Sequence, residues 1–533
     1  MKPRILRMQN FRRIVQVLAF AAFLYLFLLT VGKYDPELRK IALPSVAPID
    51  TFFRIDPLVG LTAMIASRQV IQVMLLYALP VVVLSVVAGR FFCGWICPMG
   101  TAVDAVDRLL IRRLKSEKKE RRVKNFPALK YYLLIAVIAA AVFSAQVAYF
   151  FDPITIITRA FTFAIYPIVQ ASVSAISSSD FASERMPFLV ENVYFPRDVQ
   201  YSFRLNFFAA TIFVAILAMG SITRRWWCRN LCPLGALLGV FSRFSIVRRI
   251  VKTGCTNCGK CVPDCRTGAI MEDPTQYKSA ECIYCYSCTA VCPELVTVIA
   301  PTLSKQGYHS ELDLDRRRVI QGLGLGVAFA ILGSSNVAAK TSRSGKIKIS
   351  SETLIRPPGS LPEDQFIDRC IRCSECMKVC PTNGIQPALT EAGILGLWTP
   401  VLVPRIGECT QNCNLCSQVC STQAIQPFEI REKSWLFIGR AVIDRSQCIA
   451  WNSDKQCLVC DEHCSYHALY WKTVDGIKRP FVDEHKCVGC GICENACPIQ
   501  PLAAIRVFSF GDQRHRSREE QKAFFELSRR KST

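Results

Sequence analysis

Hydrophobic residues in this chain gather into long uninterrupted runs separated by polar stretches, unlike the spaced apolar positions of a water-soluble helix or strand. The first run, Ile14 to Gly32, follows Arg4, Arg7, Arg12 and Arg13. It is too long for the core of a cleaved export signal and lacks a small-residue cleavage site, so it predicts a retained helix. Runs at Val70 to Gly89, Tyr131 to Phe150 and Leu205 to Ile222 are each long enough to cross a bilayer, which makes four expected crossings. A basic segment holding Arg108, Arg112, Arg113, Lys115, Lys118, Lys119, Arg121, Arg122 and Lys124 separates the second run from the third. Arg224, Arg225, Arg229, Arg248 and Arg249 follow the fourth. The positive-inside rule places both clusters in the cytoplasm, and the loops 33–69 and 151–204 then face outward. Ala160 to Ser177 is also apolar enough to span, but a crossing there would invert everything after it. It is read as an interfacial or re-entrant helix.

The same pattern repeats. Each half has a helix, an Asp-Pro segment, a second helix and a cysteine motif: Asp56-Pro57 matches Asp152-Pro153, and RFFCGWICPMG (Arg90 to Gly100) matches RWWCRNLCPLG (Arg225 to Gly235). Halves with two crossings each share one orientation, so an axis along the membrane normal would bring the two motifs face to face on the cytoplasmic side. Further on, DRRRVIQGLGLGVAFAILGSSNVAA carries Arg316, Arg317 and Arg318 before a Gly-rich apolar run. This is similar to a twin-arginine export signal placed inside the chain, and it predicts a fifth helix. The expected organisation is a duplicated four-helix membrane domain over 1–250, a cytoplasmic two-cluster ferredoxin domain over 251–310, a transmembrane segment and linker over 311–362 (the polar linker being Lys340 to Pro362), a periplasmic four-cluster ferredoxin domain over 363–510, and a charged tail over 511–533. The fold class is therefore membrane α-helical with α+β ferredoxin-like domains.

Composition sharpens this picture. A chain of 533 residues is too long for one hydrophobic core. Its formal charge of +23 does not point to nucleic acid, because many of the basic residues flank apolar runs and no recognition motif accompanies them. The 28 cysteines imply either a disulfide scaffold or metal sites, and spacing must decide.

Cys255, Cys258, Cys261 and Cys265 have the C-x2-C-x2-C-x3-C spacing, repeated by Cys282, Cys285, Cys288 and Cys292 ahead of Pro293. Three closely spaced thiolates wrap three corners of a [4Fe–4S] cubane and the fourth cysteine serves the other cluster. One cluster then takes Cys255, Cys258, Cys261 and Cys292, and the second takes Cys282, Cys285, Cys288 and Cys265. Four more quartets follow: Cys370, Cys373, Cys376 and Cys380; Cys409, Cys413, Cys416 and Cys420; Cys448, Cys457, Cys460 and Cys464; Cys487, Cys490, Cys493 and Cys497. Six clusters are expected in all. The outer two of the four end in Pro381 and Pro498, whereas the inner two share a stretched first spacing and end in Ser421 and Ser465. That predicts nested pairing, first with fourth and second with third.

Cys93, Cys97, Cys228 and Cys232 remain. Pro98 and Pro233 disfavour helix just before them, so each pair is expected in a loop leading into a helix. Four thiols brought together there could hold a metal or a further cluster, form a thiol–disulfide relay, or simply fill buried space. The four apolar runs contain no histidine and the chain has no C-x-x-C-H, so neither b-type nor c-type haem is expected. His463 and His467 lie beside a complete cysteine quartet and are read as structural.

CGWICPMG and CRNLCPLG after paired helices, followed by a two-cluster ferredoxin run, resemble the NapH/MauN-type quinol dehydrogenase membrane subunits. From RRRVIQG onward, including RPPGSLPEDQFIDRCIRCSECMKVCP, the chain resembles the NapG/MauM-type ferredoxin proteins. The resemblance implies a quinol dehydrogenase component of the bacterial inner membrane, multi-pass, that oxidises quinol and delivers electrons to a periplasmic cytochrome or reductase. A quinone is expected at the repeat interface near Asp56 or Asp152, unless these only start turns. The alternatives are a maturation protein supplying electrons to another metalloenzyme, and a relay with no quinone site.

Overall fold

The computed structural model describes residues 2–30, 33–35, 40–43, 50–111, 126–177, 200–302, 307–309, 312, 314–334, 353–389 and 391–532. The basic segment 112–125, residues 178–199 of the second outward loop and linker residues 340–352 lie outside these. The chain forms two compact units. The first comprises Met1–Leu28, Thr51–Ala160 and Phe207–Leu332, and the second comprises Leu29–Asp50, Phe161–Asn206 and Gly333–Thr533.

In the first unit the duplication is visible element by element. Helices α1 (Lys2–Leu29), α2 (Pro57–Ser67), α3 (Gln72–Ala88), α4 (Phe91–Trp95) and α5 (Pro98–Val106) are followed in the same order by α6 (Leu129–Val142), α7 (Pro153–Ala160), α8 (Asn206–Ala218), α9 (Trp226–Asn230) and α10 (Pro233–Ser242). The Asp-Pro pairs explain two helix starts. Asp56 accepts from the Leu58 N–H at 2.9 Å and Asp152 from the Thr155 N–H at 2.7 Å, each followed by a proline that has no N–H to leave unpaired.

Among the described residues, Met8–Leu29 and Pro153–Ala175 are long and apolar enough to cross a membrane. The other three predicted crossings give shorter apolar helices, Gln72–Ala88, Leu129–Val142 and Asn206–Ser221. The third is cut furthest below its predicted length, because Ser144 adopts a left-handed φ of 59° and a 3-10 turn at Ala148–Phe150 intervenes before Asp152 caps the next helix. The stretch 160–177, expected as an interfacial or re-entrant helix, is helical and continues from the helix begun at Pro153 through a π-helical turn at Phe161–Ile165.

The fifth helix, α11 (Arg316–Ser334), packs on α6 through Gly322 and Gly326. A Cβ at Gly326 would lie 2.3 Å from the Ala136 carbonyl oxygen, and one at Gly322 would lie 3.1 Å from that of Tyr132. The Gly-x-x-x-Gly spacing thus lets two backbones touch. The unit ends in a small α+β module, in which β1 (Val247–Val251) pairs antiparallel with β2 (Thr297–Pro301) around the first two cysteine quartets.

The second unit holds two more such modules. In one, β3 (Ile385–Pro387) pairs with β4 (Pro400–Leu402) between the quartets, and a bridge from Ser360 to Ile425 closes the outside. In the other, β5 (Arg440–Ile443) pairs with β8 (Ile505–Phe508) outside a hairpin of β6 (Leu469–Val474) and β7 (Ile477–Val482). Described residues of the loops predicted to face outward, and Thr30 at the end of the first apolar run, pack against these modules. Ile41 N–H donates to the Asn412 carbonyl at 3.0 Å, the Tyr201 hydroxyl to that of Cys380 at 3.0 Å, and Lys378 Nζ to that of Thr30 at 3.1 Å. In the tail, the helix Arg518–Ser532 is held by Arg518 on Glu432.

Candidate functional site

Four small cavities in the second unit are each ringed by four thiols: Cys370, Cys373, Cys376 and Cys420; Cys380, Cys409, Cys413 and Cys416; Cys464, Cys487, Cys490 and Cys493; and Cys448, Cys457, Cys460 and Cys497. Each is small, 20–30 Å³, and the four are alike, as four copies of one guest would require. Every quartet sends three cysteines to one cavity and its fourth to a neighbour. The exchange is sequential, first with second and third with fourth, which overturns the nested pairing predicted from the shared irregular spacing. The extra residues between Cys448 and Cys457 are absorbed locally, in part by the one-turn helix Ile449–Asn452, whereas strand pairing decides which quartets share a module. Among the described residues no three His, Cys, Asp or Glu side chains close on a single metal ion. His463 Nδ1–H donates to the Val459 carbonyl at 2.8 Å and, like His467, lines none of the four cavities.

In the first unit Cys261 lies in the field of Cys255 and Cys292, and Cys282 in that of Cys288, Cys285 and Cys265, the partition that the spacing predicts. Arg249 reaches toward both sets, with a guanidinium nitrogen 3.8 Å from the Cys261 sulfur and a hydrogen bond to Cys288.

Cys93, Cys97, Cys228 and Cys232 also lie within one another's fields. Cys97 and Cys232 stand at the N-caps of α5 and α10, as the prolines predict, while Cys93 and Cys228 ride on the one-turn helices α4 and α9. Burial pushes the thiols of Cys97, Cys228 and Cys232 upward, and at Cys228 the Arg225 guanidinium offsets part of this. A relay needs an accessible thiolate, which this burial disfavours. Two arginines supply the countercharge. Arg225 reaches the first half's Gly100 and Arg90 the second half's Gly235, where a Cβ would sit 3.3 Å and 2.5 Å from the respective guanidinium nitrogens.

Sequence reasoning missed the acids that hold these arginines. Asp104 accepts from Arg225 at 2.9 Å, Arg12 at 3.0 Å and Arg266 at 2.8 Å. Burial alone would raise its carboxyl, but the three guanidinium groups overcome that and hold it well below the usual carboxylate range. Glu281 accepts from Arg90 at 3.1 Å, from the Tyr131 hydroxyl at 2.9 Å and from Lys130. Asp56 and Asp152, where a quinone was expected, are fully buried N-caps whose side chains face each other.

Comparison with known proteins agrees with this chemistry. Family models described as 4Fe-4S binding domain match residues 70–117 and 205–253 and, separately, 367–386, and a 4Fe-4S dicluster domain model matches 455–500. The chain is 33% identical over 161 residues to the methylamine utilization ferredoxin-type protein MauM of Methylorubrum extorquens, covering 29% of this chain and 71% of that protein. It is 26% identical over 264 residues to MauN of the same organism, covering 48% and 74%. It is 24% identical over 264 residues to the ferredoxin-type protein NapH of Haemophilus influenzae, covering 46% and 75%. No solved structure matches the chain.

Proposed function

Because the chain belongs to the family of MauM-type ferredoxin proteins and joins to it a MauN/NapH-type part, we propose that it takes electrons from membrane quinol and passes them through six [4Fe–4S] clusters to an acceptor outside the cytoplasmic membrane. The chain is an iron–sulfur electron-transfer protein. The ligands in this reading are the four rings of cysteines in the second unit, together with Cys255, Cys258, Cys261, Cys292 and Cys282, Cys285, Cys288, Cys265 in the first. Cys93, Cys97, Cys228 and Cys232 would hold a further metal group balanced by Arg90 and Arg225. When bound, the clusters supply one-electron transfer, and the chain supplies position, burial and charge.

The observation carrying the outward direction is how the chain divides. The C-x3-C-P motifs fold with the two-cluster ferredoxin, whereas the described stretches 33–35, 40–43, 161–177 and 200–204 of the loops predicted outside fold with the four-cavity modules, and 51–69 and 151–160 fold with the first unit. The chain passes between units five times, among them at Leu28–Leu29, where the apolar helix Met8–Leu29 ends, at Ala160–Phe161 within the helix Pro153–Ala175, and at the end of α11. Exposed apolar side chains such as Val17, Leu76, Phe207 and Ile331 suit lipid contact. Within the second unit the Cys409 N–H donates to the Cys490 carbonyl at 2.8 Å, joining the second and third cavities of a linear series. The last, ringed by Cys448, Cys457, Cys460 and Cys497, has mostly half-exposed thiols and is the exit toward a periplasmic cytochrome or reductase.

Protease treatment of intact spheroplasts tests this. Residues 353–532 are expected to be cut while the segment 112–124 is protected. Protection of both would redirect the search to a cytoplasmic acceptor.

A further inference from the structure

The first unit contains a cavity of about 580 Å³ between the starts of α6 and α11. Leu129, Leu133, Leu314 and Leu325 form its wall, and Leu129 and Leu325 are exposed, so the apolar surface runs from the cavity to the outside of the helices. Its polar lining is Tyr131 with Glu281, a carboxylate only 5% exposed, and Lys278, Arg318 and Gln321. Glu281 is joined by one peptide bond to Cys282, and Arg90, which it pairs, lies in the fields of Cys93 and Cys232. A ligand that reaches Glu281 would therefore touch a carboxylate that adjoins Cys282 and pairs with the arginine facing Cys93 and Cys232.

We propose that this cavity binds the quinol, with a ring hydroxyl donating a hydrogen bond to Glu281 and the isoprenoid tail lying along Leu129 and Leu325 toward lipid. The inference rests on the quinol-oxidising reading above and gives it an address. A lipophilic dihydroxy ring needs an apolar slot of a few hundred cubic ångströms with one or two fixed polar partners. Two buried cations, Arg90 and Lys130, face the single acid, and their net positive charge favours departure of the hydroxyl proton. Oxidation of the bound quinol breaks two O–H bonds, releases two protons to water and gives two electrons, one at a time, to iron–sulfur acceptors held by the neighbouring cysteines. A phospholipid acyl chain could fill the wall but offers nothing for Glu281 to accept.

The test uses full-length, cluster-loaded protein in nanodiscs and a photoreactive azido analogue of decylubiquinone. Label is expected in peptides covering 126–133 and 312–325, displaced by decylubiquinol. Leu325→Trp, at an exposed rim position, is expected to weaken binding at least tenfold with iron content and cluster spectra unchanged, and Glu281→Gln to weaken it as well. Label elsewhere, or retained phospholipid that quinol does not displace, in protein whose clusters quinol still reduces, overturns the site and leaves the function standing. No label and no cluster reduction by quinol overturns both.

Discussion

Arg90 and Arg225 occupy equivalent places in the two halves of the duplication, yet their surroundings have parted. Arg225 uses Nε and both terminal nitrogens, on Asp104, the Cys93 carbonyl at 2.9 Å and the Gly100 carbonyl at 3.1 Å. Arg90 bonds Glu281 and the Ala280 carbonyl, and its Nε has no hydrogen-bond partner among the described residues. One position explains the divergence. Asp104 follows Cys97 at the spacing at which Gly239 follows Cys232, and a Cβ at Gly239 would lie 2.7 Å from the Tyr131 hydroxyl and 2.9 Å from the Ala280 carbonyl oxygen. The second half keeps that space for Tyr131 and the ferredoxin backbone, and its acid, Glu281, arrives with the ferredoxin. One arginine is locked by an acid of the helical part, whereas the other is completed only when the ferredoxin docks, on the side where the cavity lies.

Removing the lock should have the largest effect. Asp104→Asn leaves Arg225, Arg12 and Arg266 buried around a neutral amide, and about 3–5 kcal/mol of destabilisation is expected. Denaturant unfolding of the loaded protein would read it, and a change under about 1 kcal/mol would show that the network is not a lock. Because the carboxyl is held below its usual range, its contribution is complete above the unfolded pKa of about 4 and is lost only as pH falls further toward the folded value. Acid unfolding of Asp104→Asn should therefore lose that step.

The ferredoxin-docked side is probed next. A Cβ at Gly94 would sit 2.3 Å from the Ile283 carbonyl oxygen, backbone that cannot swing aside. Gly94→Ala is expected to cost about 1–3 kcal/mol and to raise amide exchange across 279–288, next to Glu281. Unchanged exchange there would mean that the ferredoxin is not seated through this contact.

Much of this was legible in the chain. Six quartets and a repeated motif could be read because cluster ligation fixes local spacing and a duplication copies sequence. Pairing among the last four quartets could not, since it depends on strands far apart in sequence, such as Arg440–Ile443 with Ile505–Phe508. Arg12 stands in the sequence only as one of four arginines ahead of the first apolar run, but it is fully buried on Asp104, a partner 92 residues away. One signal was available and unused: extending the repeat comparison past the glycine sets Asp104 against Gly239, the position where the halves diverge.

The smallest effect, and the sharpest test of the comparison, comes from changing each arginine to lysine. Both changes keep the positive charge, so any field they exert on Cys93, Cys97, Cys228 and Cys232 is largely retained. Lysine lacks the planar fork. At position 225 that fork makes four hydrogen bonds, two to a carboxylate, and Arg225→Lys is expected to cost about 2–3 kcal/mol. At position 90 it makes two, both from one nitrogen, and Lys130 already stands on the same carboxylate, so Arg90→Lys is expected to cost about 1 kcal/mol or less. Equal losses in unfolding free energy would mean that the two sides are equally locked. A loss confined to Arg225→Lys would place the adjustable side of the duplication where the ferredoxin and the cavity meet.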